Sequence, residues 1–331
     1  MSFPRLVAHN FKPLAVPALG ATLLLCMGAA QAEDSSLVIR GKDGWLFPGW
    51  GSLTVVDNKS IDSNTALIKD TRDALQARGV KLIVLMLPDK TLFYQDKLPA
   101  DKTLSPQVKE RYQTIYGKLK QAGIPTFDDA AVLKQVQSAG KDVFYRTDQH
   151  WAQPAADATA VATAELIKQI EPNLKGSAGS GMKLGNEFKE RRFGDLAERF
   201  LTEDQRKATG RETFVVRRQD TSGGLLDSAP APVHVTGHSM VQPYFGFPQK
   251  LSNVLDRPVS VNWKPGNIGH WVMLLEYLES ADFKKNPPQV LVWQMFEPSY
   301  SYGPQATGFW DNASLMRDRA WRQRMQHALG R

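Results

Sequence analysis

The segment VKLIVLMLP, residues 80–88, carries one charged side chain, Lys81, near its start and is otherwise apolar. A strand with one face in solvent alternates apolar and polar side chains, whereas a strand buried on both faces does not. The segment PPQVLVWQMF, residues 287–296, contains a similar run. Strands of this kind are typical of parallel sheets that are covered by helices on both faces. These two segments therefore predict an α/β fold.

Helical segments alternate with the strand-like ones. Residues 60–78 have apolar side chains at helical spacing and end at Gly79, a residue type that favours the turn after a helix. Ser105 and Pro106 are the residue types of an N-cap and a first helical position, and an Ala-rich helix is predicted over 154–170. This alternation predicts a mainly parallel sheet between two layers of helices.

Three further short strands are predicted from local composition. They lie at 124–127, 233–235 and 258–263. The strand at 233–235 is expected to lead through a turn into a helix that ends near Leu255. The chain would then return to the regular order of strand and helix.

Two segments have a different composition. Residues 171–232 are rich in Gly, Ser and charged residues, which predicts an irregular insertion with a hairpin around 212–218. A small separate domain is the alternative interpretation of this insertion. The arginine-rich segment 316–326 predicts a solvated helix in a C-terminal tail, residues 311–331. The main domain is then expected to span 33–310.

The first 32 residues have the pattern of a signal peptide. Arg5 and Lys12 precede an apolar run over 14–30, and the tripeptide AQA at 30–32 is a small-x-small cleavage site. An uncleaved membrane anchor is the alternative, but the run is shorter than the ~20 residues that a span needs, and Pro17 interrupts it. Export with cleavage near residue 32 is therefore predicted.

Charge and cysteine content exclude several classes of function. A formal net charge of +7 over 331 residues is too small to indicate nucleic-acid binding by itself. The only cysteine, Cys26, lies in the predicted signal, so the mature chain would have no disulfide, thiol nucleophile or cysteine metal ligand. The chain has no GxGxxG after a strand and no P-loop GK[ST], and no cofactor is expected.

Two loops after predicted strands carry reactive side chains. Asp148 lies two residues before His150, and such a carboxylate orients an imidazole so that its other nitrogen is free to act as a general base. Ser239 follows Gly237 and His238 at a strand-to-helix turn, which exposes a hydroxyl near backbone N–H groups. Neither motif is specific alone, because a serine after glycine is usually a helix N-cap.

Other uses of these and neighbouring residues compete with catalysis. Asp148, His150, His238 and His270 offer metal-ligand atoms, although no HxH or HxxxH spacing supports a metal site. The aromatic side chains of GKDGWLFPGW, residues 41–50, suit either a carbohydrate platform or a local core, and the core is favoured.

Six segments, taken together and in order from Gly41 to about Tyr300, resemble the alginate O-acetyltransferase family of AlgJ and AlgX. The segments are GKDGWLF (41–47), LPDKTLFYQDKLP (87–99), YRTDQHW (145–151), GDL (194–196), GHSMVQPYFGF (237–247) and YLESADFKKNPPQVLVW (277–293). The resemblance implies an SGNH-hydrolase-like three-layer α/β/α sandwich with a mainly parallel sheet.

The resemblance also implies a function and a site. Asp148 would orient the general base His150, and Ser239 would be the nucleophile, in a permuted order that places Asp-x-His before the serine. The family transfers acetyl groups to polysaccharide hydroxyls in the periplasm. The implied partners are an exopolysaccharide acceptor of the alginate or cellulose type and a membrane-bound O-acyltransferase that supplies the acetyl group. No metal and no nucleic acid is expected to take part.

The chain departs from the family pattern near the nucleophile and after the last strand. His238 stands where the family has Asp or Thr, and the arginine of the last segment is absent. Arg146, Trp151 and Tyr300 are candidate substrate-binding residues. About 30 residues follow Tyr300, too few for the carbohydrate-binding module of AlgX, so the resemblance is closer to AlgJ. An acetylesterase with the same triad and a non-catalytic polysaccharide-binding subunit are the alternative functions.

Overall fold

The computed structural model describes residues 37–219 and 230–330. The signal predicted for residues 1–32 lies outside the described residues and stays a prediction. Within the described ranges, no helix combines the length and the apolar character that a membrane span requires.

The described chain contains strands, α-helices and short 3-10 turns. The strands are β1 (Val38–Arg40), β2 (Leu46–Pro48), β3 (Lys81–Leu87), β4 (Leu184–Arg192), β5 (Glu212–Gln219), β6 (Val233–His238), β7 (Val259–Lys264) and β8 (Val290–Phe296). The helices are α1 (Asn58–Gln76), α2 (Pro106–Gln121), α3 (Asp129–Ser138), α4 (Gln153–Ile170), α5 (Asp195–Phe200), α6 (Glu203–Thr209), α7 (Phe247–Leu255), α8 (His270–Glu279), α9 (Ala281–Lys285) and α10 (Asp318–Ala328).

Four parallel strands form the central sheet in the order β3-β8-β6-β7. β3 pairs with β8 along its whole length, from Lys81 opposite Val290 to Leu87 opposite Phe296. Nearly every side chain of these two strands is buried, on both faces of the sheet. Burial on both faces is the physical reason why their sequences lack the alternation of polar residues.

Each face of the sheet packs against its own layer of helices. Ile83 and Leu85 of β3 belong to a core that also contains side chains of α3, α4 and α7. Leu82 and Val84 point the other way, into a core with side chains of α1, α2, α8 and α10. Successive side chains of a strand alternate between faces, so one strand contributes to both cores. The predicted three-layer α/β/α fold is confirmed.

Local sequence signals define where the helices begin. Ser105 accepts a hydrogen bond from Val108 N at 3.3 Å, and Pro106 is the first residue of α2, as predicted. Asp57 accepts a hydrogen bond from Ser60 N at 3.0 Å and so caps α1. Each cap satisfies a backbone N–H that has no partner within its helix.

The helix expected after the strand at 233–235 begins later than predicted. Ser239–Val241 is a short 3-10 turn, and α7 begins only at Phe247. Gln242 precedes Pro243 and is extended, with φ −61° and ψ 145°, because a residue before proline is sterically disfavoured from the helical region.

Another local prediction is wrong, since residues 124–127 do not form a strand; Val84 N of the sheet donates to Pro125 O of this segment at 2.9 Å. The helix predicted over 316–326 is present as α10, but it is not solvated all round, because Trp321 is fully buried and donates from Nε1 to Trp271 O at 2.9 Å.

The insertion contains an antiparallel ribbon of β4 and β5. Residues 212–218, predicted to form a hairpin, lie in the single strand β5, and α5 and α6 separate β5 from its partner β4 along the chain, so the strand is present but the local hairpin is not. Phe214 and Val216 of this ribbon belong to the same core as one face of the central sheet. The Tyr145 hydroxyl donates to Val215 O at 3.0 Å. Because its apolar side chains are buried in the main core, the described part of the insertion is not a separate domain.

Candidate active site

Ser239 lies at the carboxyl end of β6, where the strand passes into the 3-10 turn. A Cβ atom at Gly237 would lie 2.6 Å from Gln294 Oε1, so this close approach requires glycine. The same oxygen accepts a hydrogen bond from His238 N at 2.9 Å. These contacts hold the main chain that precedes Ser239 against β8.

His150 presents one ring nitrogen to Ser239 and the other to Asp148. His150 Nε2 lies 2.7 Å from Ser239 Oγ, and His150 Nδ1 lies 2.6 Å from Asp148 Oδ1. The imidazole stacks on the Phe245 ring, with 4.3 Å between centroids. An ionised carboxylate only accepts hydrogen bonds, so the proton resides on Nδ1 and Nε2 accepts from the serine hydroxyl. The three side chains form one continuous hydrogen-bonded chain.

The Asp148 carboxylate is buried and its remaining acceptor positions are occupied. Oδ1 also accepts from His150 N at 2.9 Å, and Oδ2 accepts from Asp195 N at 2.9 Å. Burial acts to raise the pKa of Asp148, but the charge of His150 and these hydrogen bonds outweigh burial and hold that pKa below its usual range. Asp148 therefore stays ionised, as an orienting carboxylate must.

A second carboxylate, Asp195, lies beside this chain at the start of α5. It accepts hydrogen bonds from Gln149 N at 2.9 Å and from Gln149 Nε2 at 2.5 Å, and its Oδ2 lies 3.8 Å from His150 Nδ1. Burial and the charge of Asp148 raise the pKa of Asp195 to about 6. Burial acts to lower the pKa of His150, but the charges of Asp148 and Asp195 outweigh it and raise that pKa above its ordinary value.

The loop that carries Asp148 and His150 is fastened by a buried lysine. Lys90 Nζ donates to Leu46 O and Tyr145 O at 2.6 Å each, and lies 3.0 Å from both Arg146 O and Asp148 O. The side chain has no exposed surface. Burial lowers the pKa of Lys90 to about 7, although neighbouring carboxylates act to raise it. One amine thus joins β2, the end of β3 and the catalytic loop.

Glu212 at the start of β5 holds the same loop from the opposite side. Its carboxylate accepts hydrogen bonds from Arg146 N and Thr147 N, each at 2.8 Å, and also from the Thr147 hydroxyl. The ribbon of the insertion therefore helps to fix the backbone that leads to Asp148.

Ser239 lies in the wall of two neighbouring cavities. We call the first the charged cleft: it has a volume of about 450 Å³ and is lined by His150, Glu190, Arg192, Asp195, Tyr244 and Trp263, among others. We call the second the apolar chamber: it has a volume of about 260 Å³, and its larger apolar side chains are Trp50, Phe200, Met240, Phe296 and Phe309. Ser239, Gln149, Arg199 and Gly266 line both.

Comparison with known proteins identifies the family. The family described as "SGNH hydrolase-like domain, acetyltransferase AlgX" matches residues 38–297, most of the chain. The chain belongs to this family. It is an O-acetyltransferase of the SGNH hydrolase-like type, and its similarity to AlgJ proteins supports the predicted AlgJ-like character.

Individual relatives and solved structures agree with the assignment of this chain to the SGNH hydrolase-like acetyltransferase family. The probable alginate O-acetylase AlgJ of Pseudomonas fluorescens is 30% identical over 270 residues, which are 78% of this chain and 67% of the relative. The O-acetyltransferase domain of Pseudomonas putida AlgJ superposes with a TM-score of 0.71 at 26% identity, over 88% of this chain and 99% of that domain. Pseudomonas aeruginosa AlgX, with a TM-score of 0.57 and 20% identity over 83% of this chain and 67% of AlgX, shares the fold.

The three candidate substrate-binding residues do not line the cavities beside Ser239. Trp151 has no exposed surface and packs against Phe247, with 5.5 Å between centroids. Tyr300 is buried in the core, where its hydroxyl lies 2.9 Å from Thr65 Oγ1. Burial of these two rings corrects the expectation that they contact substrate.

Arg146 is also engaged by protein groups. Its guanidinium donates to Gly44 O at 3.0 Å and to Thr209 O at 3.1 Å. Arg146 therefore supports the catalytic loop by joining it to the segments on either side.

Histidines near Ser239 do not join a metal site with Asp148 and His150. His238 Nε2 lies 2.9 Å from Ile268 O, and burial lowers the pKa of His238 to about 4. Among residues 37–219 and 230–330, the acidic and imidazole groups that converge are Asp148, His150 and Asp195, whose potential ligand atoms lie within 4.8 Å of one another. A cation at His150 Nδ1 would have to displace the hydrogen bond to Asp148.

The sequence alone predicts no role for Lys90, Asp195 or Glu212. Lys90 and Asp195 lie in the segments LPDKTLFYQDKLP (87–99) and GDL (194–196), both of which resemble the family. The charged side chain in each of these two segments is the sequence feature that could have indicated a role in the site. Glu212 lies in the insertion, where no such pattern marked it.

Proposed function

We propose that this protein is an exported O-acetyltransferase that acetylates hydroxyl groups of an exopolysaccharide, with Ser239 as nucleophile, His150 as general base and Asp148 as orienting carboxylate. The observation that carries the proposal is the chain of hydrogen bonds of 2.6 and 2.7 Å from Asp148 through His150 to Ser239 Oγ. Membership of an acetyltransferase family supports the assignment of this chain to acyl transfer rather than to a structural role.

The reaction would proceed in two half-reactions. Ser239 Oγ attacks the carbonyl carbon of an acetyl donor while its proton passes to His150 Nε2. The donor's acyl bond breaks, the leaving group takes the proton from His150, and Ser239 holds the acetyl group as an ester. A sugar hydroxyl then gives its proton to His150 Nε2 and attacks the ester carbon. The bond from that carbon to Ser239 Oγ breaks, Oγ takes the proton back from His150, and the acetylated sugar leaves.

Backbone N–H groups would stabilise the tetrahedral intermediates. Ser239 begins the 3-10 turn Ser239–Val241. The first N–H groups of a helical turn have no acceptor within the turn. The N–H groups at the start of this turn are therefore the candidate donors to the oxyanion.

The charged cleft is the proposed acceptor site, and a uronic-acid polymer such as alginate is the proposed acceptor. Several relatives are named as probable alginate O-acetylases. Arg192 and Arg199 line the cleft. Arg192 is paired with Glu190 and lies 3.6 Å from Asp148, so the exposed Arg199 is the better placed of the two to bind a sugar carboxylate. Trp263 and Tyr244 offer aromatic surface. A cellulose-type glucan has no carboxylates to engage these arginines, so alginate is preferred.

The acetyl donor is proposed to come from a membrane-bound O-acyltransferase at the inner membrane, and the site of reaction to be the periplasm. The predicted signal at residues 1–32 supports export. The same proposal assigns residues 33–310 to the catalytic domain and residues 311–331 to a helical tail.

The test is acetyl transfer by the purified protein to alginate oligosaccharides from a chromogenic acetyl ester, read by mass spectrometry of the sugar. Ser239→Ala should abolish transfer and acetyl-enzyme formation, and Asp148→Asn and His150→Ala should lower turnover by at least ~10²-fold. Ser138→Ala, at an exposed position at the end of α3, is the matched control and should leave turnover unchanged.

Two results would overturn the proposal. Release of free acetate with no acetylated sugar for any acceptor would identify an acetylesterase that uses the same triad. Full polymer acetylation in cells that carry Ser239→Ala would identify a non-catalytic subunit.

A further inference from the structure

The two cavities beside Ser239 differ in their access to the general base. His150 and Asp148 line the charged cleft but are not among the residues that line the apolar chamber. Ser239 is in the wall of both cavities. Any group bonded to Ser239 Oγ can therefore extend either toward His150 or away from it, into the chamber.

The chemistry of acyl transfer determines which substituent goes to which side. The leaving group must depart beside His150, because it receives the proton from Nε2. The acceptor must arrive on the same side, because it gives its proton to the same nitrogen. Both therefore occupy the charged cleft. In the tetrahedral intermediate the carbon carries Ser239 Oγ, the oxyanion, the leaving group or acceptor, and the acyl chain. With the leaving group or acceptor beside His150, the acyl chain extends away from His150, toward the chamber.

The chamber is larger and more apolar than an acetyl group requires. A methyl group is about the size of a water molecule, which takes up roughly 30 Å³ in the liquid. The chamber has about 260 Å³. Its aromatic side chains are held by ring contacts: Phe309 stacks on Tyr302 at 3.7 Å between centroids, and the two wall residues Phe200 and Trp50 pack against each other at 6.2 Å.

We infer that the apolar chamber is the acyl pocket of this enzyme and that Ser239 accepts saturated acyl groups of about four to six carbons as well as acetyl. The inference rests on the proposed role of Ser239 as nucleophile. The step is the one described for acetyl: the ester bond from Ser239 Oγ to the acyl carbon forms, the donor's acyl bond breaks, and the serine proton leaves with the donor alcohol through His150.

The test uses the full chain with p-nitrophenyl acetate, butyrate and hexanoate, which share one leaving group. Intact-protein mass spectrometry should show an acetyl, a butyryl and a hexanoyl adduct, each absent in Ser239→Ala. The rate of acylation should fall by less than about tenfold from acetyl to hexanoyl, because each further methylene gains apolar contact.

Variants of the chamber wall test its location. Asn267 lines the chamber and not the cleft, and Asn267→Trp should fill it and lower the ratio of hexanoyl to acetyl rates by at least about tenfold. Phe309→Ala should enlarge the chamber and raise the same ratio. Ser138→Ala, at a position that lines neither cavity, is the control and should leave the ratio unchanged.

The possible failures are distinguishable. An acetyl adduct on Ser239 without butyryl or hexanoyl adducts would overturn the inference and leave the proposed function intact. A second contrary outcome is that Asn267→Trp and Phe309→Ala leave the ratio of hexanoyl to acetyl rates unchanged and alter how the acylation rate depends on the leaving group. That result would overturn the inference and assign the chamber to the donor's leaving group. The absence of every adduct, acetyl included, would overturn the proposed function and the inference with it.

Discussion

At the scale of single residues, Asp148 determines the protonation pattern of His150. Its carboxylate accepts from Nδ1 at 2.6 Å, which leaves Nε2 directed at Ser239 Oγ, 2.7 Å away. Asp195 adds a second negative charge 3.8 Å from the same Nδ1. In the proposed mechanism the two carboxylates have separate tasks: Asp148 orients the ring, and Asp195 adjusts its basicity.

Asp195→Asn should shift the pH dependence of acyl transfer. The proposed base works as neutral His150, and the carboxylates of Asp148 and Asp195 raise its pKa against the effect of burial. Removal of one negative charge therefore lowers the pKa of His150, and the acid limb of kcat/KM should move to lower pH. The measurement is a pH profile of acetyl transfer for both proteins.

Glu198→Gln is the matched control for this shift. Glu198 lies on the same helix, α5, and is exposed, so its substitution should leave the acid limb in place. A profile of Asp195→Asn that coincides with that of the unsubstituted protein would remove Asp195 from the electrostatics of the base.

At the scale of elements, the catalytic loop is held by groups from β2, from the end of β3 and from the inserted ribbon. Lys90 and Glu212 bind its backbone from two sides. Gly194, just before α5, approaches it most closely, since a Cβ there would lie 2.3 Å from Thr147 O. These contacts join segments that are far apart in sequence.

Lys90→Met should destabilise the protein by about 3 kcal/mol and also lower kcat. Methionine replaces the stem of the side chain but leaves four carbonyl oxygens without their shared donor. Urea denaturation measures the first effect and acetyl transfer the second. Lys207→Met removes an exposed ion pair with Glu203, and as a control it should change the free energy of unfolding by less than about 0.5 kcal/mol.

Gly194→Ala should cost about 1–3 kcal/mol of stability and reduce turnover, because the new methyl group can be accommodated only if the main chain at Thr147 and Asp148 moves. Gly117→Ala is an informative contrast. Gly117 lies inside α2 with no atom within 4 Å of an added Cβ, so alanine should stabilise the protein by about 0.5–1 kcal/mol. Equal effects of the two substitutions on thermal unfolding would contradict this account.

At the scale of the whole molecule, the parallel order of β3, β8 and β6 brings the carboxyl ends of these strands to one edge of the sheet. Ser239 follows β6, Lys90 follows β3, and Gln294 of β8 holds the turn before Ser239. Ser239, at this edge, lines both the charged cleft and the apolar chamber.

Acceptor binding should depend on salt if the polymer is a polyuronate. The protein has a formal net charge of +7, and Arg192 and Arg199 line the charged cleft. An increase from about 50 to about 500 mM salt should raise KM for alginate oligosaccharides several-fold, because ions screen these contacts. Neutral glucan oligosaccharides are the control. A KM for alginate that does not change with salt would remove the arginines from acceptor recognition.

The sequence by itself determined the fold class and indicated the residues that we propose to react. Continuous apolar runs at 80–88 and 287–296 predict strands buried on both faces, and that pattern is local, since it depends only on neighbouring side chains. Asp148 and His150 were likewise recognisable because they are two residues apart on one loop. Ser239 required the family resemblance, because a lone serine after a glycine and a histidine has little specificity.

Only the tertiary structure decided the surroundings of these residues. Asp195 lies 45 residues from His150 along the chain, and Lys90 lies farther still. Both nevertheless contact the loop that carries Asp148 and His150. Trp151 and Tyr300 are aromatic residues whose type suits either a sugar surface or a core, and their burial assigned them to the core. Burial, charge around a base and the two sides of Ser239 all depend on contacts between distant segments, which no local pattern specifies.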